Sequence, residues 1–120
     1  MPRLSGPAAL LHVEGLALAI AAILLYARAD GSWLLFVLLV LAPDLSALGY
    51  LAGPRIGSIT YNTAHTEALP AALALVGLFS GNHVALWLAL IWLCHIGADR
   101  CLGFGLKYAT AFKDTHLSRV

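Results

Sequence analysis

The sequence predicts an all-α fold: a four-helix transmembrane bundle followed by a short cytoplasmic interfacial tail. Composition is the first reason, because 61% of the 120 residues are hydrophobic, only 11% are charged and the mean hydropathy is +0.87. A soluble domain needs far more surface charge than this. The second reason is that the apolar residues fall into four stretches, each close to the ~20 residues that cross ~30 Å of hydrocarbon.

Turn-forming residues separate these four stretches. Gly, Pro, Asn and Ser occur in "ARADGS", "GYLAGPRIGS" and "FSGNH", which are typical of loops between helices. Nothing resembling an interdomain linker interrupts the chain, so residues 1–120 are expected to form a single integral membrane domain. The predicted helices cover residues 8–27, 32–50, 58–80 and 83–104, and the tail covers residues 105–120.

The distribution of cations predicts the orientation. With a cytoplasmic N-terminus, six of the seven Lys and Arg side chains lie on the cytoplasmic side and only Arg28 lies outside. This asymmetry follows the positive-inside rule and places both termini in the cytoplasm. A net charge of +1, with basic residues scattered along one interface, gives no surface for nucleic acid. The six cations are Arg3, Arg55, Arg100, Lys107, Lys113 and Arg119.

Each predicted helix carries an ionisable side chain at a similar depth in its cytoplasmic half. At 1.5 Å per residue, Glu14, Asp44 and His65 lie about 9–10 Å from that side, and His95 and Asp99 lie roughly 8–14 Å from it. Short carboxylate and imidazole side chains cannot reach the interface from this depth as Lys and Arg can. They are therefore expected to contact one another, water or an ion.

This mixed set of oxygen and nitrogen donors suits a divalent metal such as Zn, Mn or Fe. Helix bundles commonly assemble such sites from side chains on facing helices. The sequence therefore predicts Asp44, His65, His95 and Asp99 as metal ligands, with Glu14 as a further ligand or a catalytic general base. Because His95 and Asp99 are four residues apart, they share one face of a helix.

Other interpretations of the same residues stay open at the level of sequence. His95 and Asp99 also fit an intrahelical hydrogen-bonded pair that fixes the imidazole tautomer. Asp44 also fits a partner for Arg55 or Arg100 at the inner surface. His65 and His95, at comparable depth on consecutive predicted helices, also fit axial ligands of a haem, although carboxylate neighbours suit a porphyrin face less well than a divalent ion.

The motifs "PDLS", "YN", "AHT", "HIGADR", "GLKY" and "FKDTHL" resemble a family of small bacterial integral membrane proteins of unknown function, over essentially the whole chain. The resemblance implies a multi-helix membrane fold in the bacterial inner membrane. It implies no activity.

A fainter resemblance connects the chain to inner-membrane metal-dependent hydrolases. Pro43-Asp44, His65-Thr66 and the His95…Asp99 spacing look like three motif elements of those enzymes. The chain departs from their pattern because Tyr61 or Asn62 stands where those enzymes have a further histidine. This resemblance implies metal-dependent hydrolysis.

Two classes of function follow from these observations. The first is a metal-dependent membrane hydrolase that acts on an amphipathic substrate. The second is a protein without catalysis: a structural or accessory subunit of a membrane complex, or a membrane protein that binds an ion, a proton or a haem. Membrane lipids are expected partners in every case, and small residues in the helices would also permit a homo-oligomer or a larger complex.

Overall fold

A computed structural model describes residues 6–106, 115 and 117 of the chain. The fold is all-α, as predicted. Most of the tail predicted over residues 105–120 lies outside the described residues, as do Arg3, Lys107, Lys113 and Arg119 of the charge argument. Five α-helices and one 3-10 helix are described: α1 Gly6–Arg28, α2 Trp33–Leu39, the 3-10 helix Ala42–Ala52, α3 Pro54–His65, α4 Ala68–Ser80 and α5 His83–Leu102.

Within the described residues, three segments are long and apolar enough to cross a membrane: Gly6–Arg28, Trp33–Ala52 and His83–Leu102. They correspond to the first, second and fourth predicted spans. Many large apolar side chains of these segments point outward, including Leu24, which is 61% exposed. An outward-facing layer of Leu, Ile and Val is what a helix bundle presents to lipid tails.

The third predicted span, residues 58–80, is two helices instead of one. α3 has 12 residues and α4 has 13, and Thr66 between them adopts an extended conformation. The break is stabilised from α5, where the Arg100 guanidinium donates to the His65 carbonyl and the Trp92 indole donates to the Ala64 carbonyl. Because these carbonyls have partners outside their own helix, α3 can end there without leaving buried acceptors unsatisfied.

The second predicted span changes its helix type part of the way along. α2 ends at Leu39, and an 11-residue 3-10 helix follows. Pro43 lacks a backbone N–H and therefore cannot continue the α-helical hydrogen bonding. The Ser46 hydroxyl donates to the Pro43 carbonyl at 2.7 Å and supports the tighter winding.

The 3-10 helix and α3 form a hairpin, which we call the 42–65 hairpin. Gly53, with φ of 109°, makes the turn, and Pro54 begins α3. The Thr60 hydroxyl donates to the Ser46 carbonyl at 2.8 Å and connects the two helices of the hairpin. Asp44 near its start and His65 at its end consequently lie side by side at its open end.

α1 and α5 form the central helix pair. Gly15 and Gly97 allow the two backbones to approach closely: a Cβ built on Gly97 would lie 2.6 Å from the Ala19 nitrogen and 2.7 Å from the Gly15 carbonyl oxygen. Ala19, Ala22 and Cys94 are buried in the same interface. Small residues at a helix crossing are a usual solution in membrane proteins, where close packing stabilises the pair.

An aromatic cluster closes the end of the bundle away from Asp44, His65, His95 and Asp99. Tyr26 is fully buried, and its ring packs edge-on against Trp33 and Phe36 at centroid distances of 5.1 and 5.4 Å. The Trp87 indole donates to the Ala29 carbonyl at 3.0 Å. These contacts join the α1–α2 turn to α5.

Candidate metal centre

Three elements bring four of the predicted site residues together. Asp44 lies in the first turn of the 3-10 helix and His65 is the last residue of α3. His95 and Asp99 lie one turn apart on α5. The four side chains form a group whose donor atoms all lie within 4.8 Å of one another, which we call the donor cluster.

The two imidazole Nε2 atoms are the centre of the donor cluster. They lie 3.1 Å apart. Asp44 Oδ1 is 3.2 Å from the His65 Nε2 and 3.0 Å from the His95 Nε2. Asp99 Oδ2 is 3.3 Å from the first and 3.2 Å from the second. Each carboxylate therefore contacts both histidines.

Five of the six donor separations are close to those of a tetrahedral metal site. Nitrogen and oxygen ligands at ~2.0–2.1 Å from Zn²⁺ in tetrahedral geometry lie about 3.3–3.4 Å from one another. The five distances around the two nitrogens, 3.0 to 3.3 Å, are close to this value. The two carboxylate oxygens lie within 4.8 Å of each other, so the donor cluster could hold one divalent ion if Asp44 and Asp99 move towards it.

Burial differs between the two kinds of donor. The side chains of His65 and His95 are 0% and 4% exposed, whereas that of Asp99 is 15% and that of Asp44 is 51% exposed. The imidazoles thus close the inner side of the donor cluster. The carboxylates, and Asp44 above all, form its accessible side.

The His65 ring is held in one orientation by α3 itself. Its Nδ1–H donates to the Tyr61 carbonyl at 2.8 Å, and the Tyr61 ring stacks on the imidazole with centroids 3.8 Å apart. With the proton on Nδ1, the Nε2 lone pair of a neutral His65 points into the donor cluster. His95 has a corresponding hydrogen bond to the backbone of Val40. Backbone partners of this kind are typical of metal-binding histidines.

Tyr61 borders the donor cluster as a neutral group. Burial raises the pKa of its phenol, and the negative charges of Asp99 and Asp44 raise it further. The hydroxyl therefore stays protonated at neutral pH.

Arg100 supports the donor cluster from behind. Its guanidinium is buried and donates to the His65 carbonyl at 2.7 Å and to the Phe104 carbonyl at 2.8 Å. The sequence left open a pairing of Arg100 with Asp44, but Arg100 instead holds the end of α3 against α5. The alternative pairing of His95 with Asp99 does occur, at 3.2 Å, as one contact within the larger cluster.

A cavity opens on the carboxylate side of the donor cluster. It has a volume of about 370 Å³ and is lined by Asp44, Ala47, Tyr61, Asp99 and Phe104. We call it the head cavity. A ligand in this cavity would contact the two carboxylates and Tyr61.

Glu14, predicted as a further ligand or general base, lies outside the donor cluster. It is exposed on α1 and lines a different cavity, of about 400 Å³, together with Thr66, Glu67 and Arg100. Its relation to the donor cluster is through Arg100, which lines this cavity and also contacts the His65 carbonyl.

Sequence reasoning missed the residues that orient the donors. Tyr61 lies four residues before His65, the spacing that brings a helical carbonyl to the imidazole Nδ1, so this partner could have been anticipated. The role of Arg100 depends on the break after His65. The sequence did not predict this break, because residues 58–80 read as one continuous apolar span. Val40 gave no sequence signal, because any residue supplies a backbone group.

Comparison with known proteins identifies the family. No curated protein and no solved structure matches the chain. A family model, described as a domain of unknown function, DUF4260, matches residues 8–120. The match covers almost the whole chain, from α1 to the last residue, and therefore includes all four residues of the donor cluster. The fainter resemblance to metal-dependent hydrolases receives no support from these comparisons. The chain belongs to the DUF4260 family.

Proposed function

We propose that this protein is a membrane metalloprotein whose donor cluster binds one divalent ion, with Zn²⁺, Mn²⁺ or Fe²⁺ as candidates. The observation that carries the proposal is the 3.1 Å separation of the His65 and His95 Nε2 atoms, with two carboxylate oxygens 3.0 to 3.3 Å from them. A divalent cation would neutralise the two carboxylates and satisfy all four donor atoms at once.

Protons would pair the four donor atoms less completely than a divalent ion would. If both imidazoles were doubly protonated, two N–H groups would point at each other across 3.1 Å. If both were neutral with the proton on Nδ1, two lone pairs would face each other and the carboxylates. A single shared proton relieves only the contact between the nitrogens. A proton-binding network therefore remains the weaker alternative.

Haem binding also fits the geometry poorly. Axial imidazoles coordinate a haem from opposite faces of a porphyrin plane. Nε2 atoms 3.1 Å apart, with carboxylate oxygens on two further sides, leave no slot for that plane.

The environment of the proposed site is the bacterial inner membrane, with both termini in the cytoplasm. The three apolar segments support membrane insertion. The cations among the described residues support the orientation, because Arg100 lies next to Asp99 in the last turn of α5, Arg55 lies at the closed end of the 42–65 hairpin, and Arg28 lies at the other end of the bundle, at the end of α1 beside the aromatic cluster. The donor cluster would then lie in the cytoplasmic half of the bilayer.

The activity we propose is metal-dependent hydrolysis of an amphipathic substrate. A divalent ion in such a site can lower the pKa of a bound water to about 7 and so supply a nucleophile. The head cavity gives a substrate access to the carboxylate side of the donor cluster, and Asp44 is exposed enough to accept a proton there. Glu14 has no place in metal binding in this proposal, because it lies in the cavity behind Arg100.

Metal content is the first experiment. Detergent-purified protein is analysed by elemental mass spectrometry, with His65→Ala and His95→Ala as test variants. His83→Ala is the matched control, since His83 is an exposed histidine at the start of α5. About one equivalent of Zn, Mn or Fe in the wild type and the control, and little in the test variants, supports the proposal. A folded wild type without metal after reloading would overturn it.

Hydrolysis needs its own test. The metal-loaded wild type is assayed against long-chain p-nitrophenyl esters and phosphodiesters in detergent, before and after chelation. Turnover that chelation abolishes and metal restores supports the enzyme. If the protein binds one equivalent of metal but shows no such turnover, the metal site is supported and the hydrolase proposal is overturned.

One observation favours a second candidate, a structural site in an accessory subunit. Four protein donors fill a tetrahedron completely, as in structural zinc sites, whereas catalytic sites keep a position open. An ion there would fasten the 42–65 hairpin to α5. The two cases differ in what happens at the exposed Asp44. If water replaces Asp44, a coordination position opens and the site is catalytic, whereas an Asp44 that stays bound makes the site structural.

A further inference from the structure

A second cavity adjoins the donor cluster. It has a volume of about 360 Å³ and is lined by eight residues, all apolar, contributed by α2, the 3-10 helix, α3, α4 and α5. We call it the apolar groove. The residues that matter most to its position are Ala42, Pro43, Ala64, Leu73, Leu88 and Trp92.

The apolar groove ends at the donor cluster. Pro43 and Ala64 line it, and each directly precedes a donor, Asp44 and His65. On α5, the groove residues Leu88 and Trp92 are followed by the donors His95 and Asp99. The successive spacings are four, three and four residues, which places all four side chains on one helix face. Leu88 lies seven residues before His95, so the groove extends about 10 Å along α5 from the donors.

The head cavity lies on the other side of the donor cluster. Its α5 residue is Asp99, and Phe104 follows the end of that helix. Along α5, the order is therefore apolar groove, imidazoles and then head cavity. The groove faces the middle of the apolar span, and the head cavity faces the end that carries Arg100.

This order matches the two halves of a lipid molecule. We infer that the apolar groove holds one hydrocarbon chain of a lipid whose polar linkage lies at the donor cluster and whose headgroup occupies the head cavity. The inference rests on the proposed function and makes its substrate more specific: the substrate class is a long-chain lipid, bound with its chain directed towards the bilayer centre.

The surroundings of the groove support a lipid as its occupant. Apart from Ala64 of α3, its walls belong to the segments Trp33–Ala52 and His83–Leu102, both apolar enough to span a membrane, and to α4, whose outer surface includes Leu75, 55% exposed. Hydrocarbon chains are the solvent around such segments. The one hydrogen-bonding side chain among the eight lining residues is Trp92, and its indole N–H already donates to the Ala64 carbonyl, so a polar ligand would find no free partner there.

Trp92 provides a direct probe of the groove. The chain has three tryptophans, and only Trp92 lines this cavity. The experiment uses the full chain with Trp33→Phe and Trp87→Phe, purified in an unbrominated detergent and titrated with a phospholipid carrying brominated acyl chains. We expect saturable quenching of Trp92 fluorescence at low lipid-to-detergent ratios. Quenching that only rises linearly with the lipid fraction would overturn the inference.

Groove-filling variants complete the test. Leu73→Phe on α4 and Ala42→Leu on the 3-10 helix each add volume to the cavity lining and should each weaken the saturable quenching at least tenfold. Leu75→Phe, two residues along α4 and directed outward, is the matched control and should bind as the parent does. Equal quenching in a folded groove variant and in the control would contradict the inference.

Metal content is measured on the same samples and separates the two proposals. Normal metal with linear quenching means that the donor cluster is real and the groove does not bind lipid chains. Saturable quenching in a protein without metal means that the groove binds chains and the metal proposal fails.

Discussion

The Nε2 atoms of His65 and His95 lie 3.1 Å apart, although 30 residues separate the two histidines in the chain. The break after α3 places the first at the open end of the 42–65 hairpin, and α5 carries the second at the same level. The backbone hydrogen bonds of the two rings keep the Nε2 atoms directed at each other. A side-chain arrangement with this concentration of lone pairs requires a cation or a proton at its centre.

The two carboxylates should contribute unequally to metal affinity. Asp99 is largely buried, so its replacement in Asp99→Asn removes a charge that water cannot replace, and we expect affinity to fall at least about 100-fold. Asp44 is half exposed, and water can take its place in Asp44→Asn, so the loss should be about tenfold. Competition with a fluorescent zinc chelator measures both. The reverse order of effects would contradict the assignment of Asp44 to the accessible side.

Arg100 should not be replaceable by lysine. Its planar guanidinium donates to two carbonyls, those of His65 and Phe104, and a single ammonium cannot reproduce that fork. We expect Arg100→Lys to lower the free energy of unfolding by about 1–3 kcal/mol, because a buried carbonyl loses its partner.

The same variant should also weaken metal binding, by about 10–100-fold, since Arg100 holds a donor through its backbone. Thermal unfolding in detergent and the chelator competition check the two effects. Arg55→Lys is a suitable control, because Arg55 is exposed on α3. Wild-type affinity in a destabilised Arg100→Lys would show that the end of α3 does not position His65.

The sequence was sufficient to predict α1 and α5 because each is a long apolar run bounded by turn residues. It failed at residues 58–80, where the apolar pattern continues through the break at Thr66. The break depends on side chains of α5 that reach the carbonyls of Ala64 and His65, and such long-range partners leave no trace in local periodicity. The 3-10 helix, by contrast, had a visible cause in Pro43.

The common depth of Asp44, His65, His95 and Asp99 was enough to predict that these four side chains meet, since polar side chains in an apolar span must find partners at their own level. Glu14 has the same depth along α1, yet it faces the cavity behind Arg100. Depth fixes the level of a side chain but not the direction in which its helix presents it. That direction depends on the Gly15–Gly97 crossing, which sets the rotation of α1 against α5.

Metal removal should loosen one part of the fold selectively. Two donors belong to the 42–65 hairpin and two to α5, so an ion between them joins the hairpin to the rest of the bundle. We expect chelation to increase amide hydrogen exchange across residues 42–65, while exchange in α1 stays unchanged. Mass spectrometry of peptic fragments measures both regions. Uniform changes along the chain, or none in a protein that has lost its metal, would contradict this coupling.

The α1–α5 crossing should be intolerant of a single methyl group. A Cβ on Gly97 would lie 2.6 Å from the Ala19 nitrogen, a backbone atom that cannot rotate away, so Gly97→Ala must push the two helices apart. Overpacking of this kind costs about 1–3 kcal/mol, whereas the same change in an open helix position is neutral or favourable. Gly6→Ala is the matched control, since no heavy atom lies within 4 Å of its Cβ position. Thermal unfolding of both variants in the same detergent measures the difference. Equal melting temperatures for Gly97→Ala and Gly6→Ala would mean that α1 and α5 do not meet through these glycines.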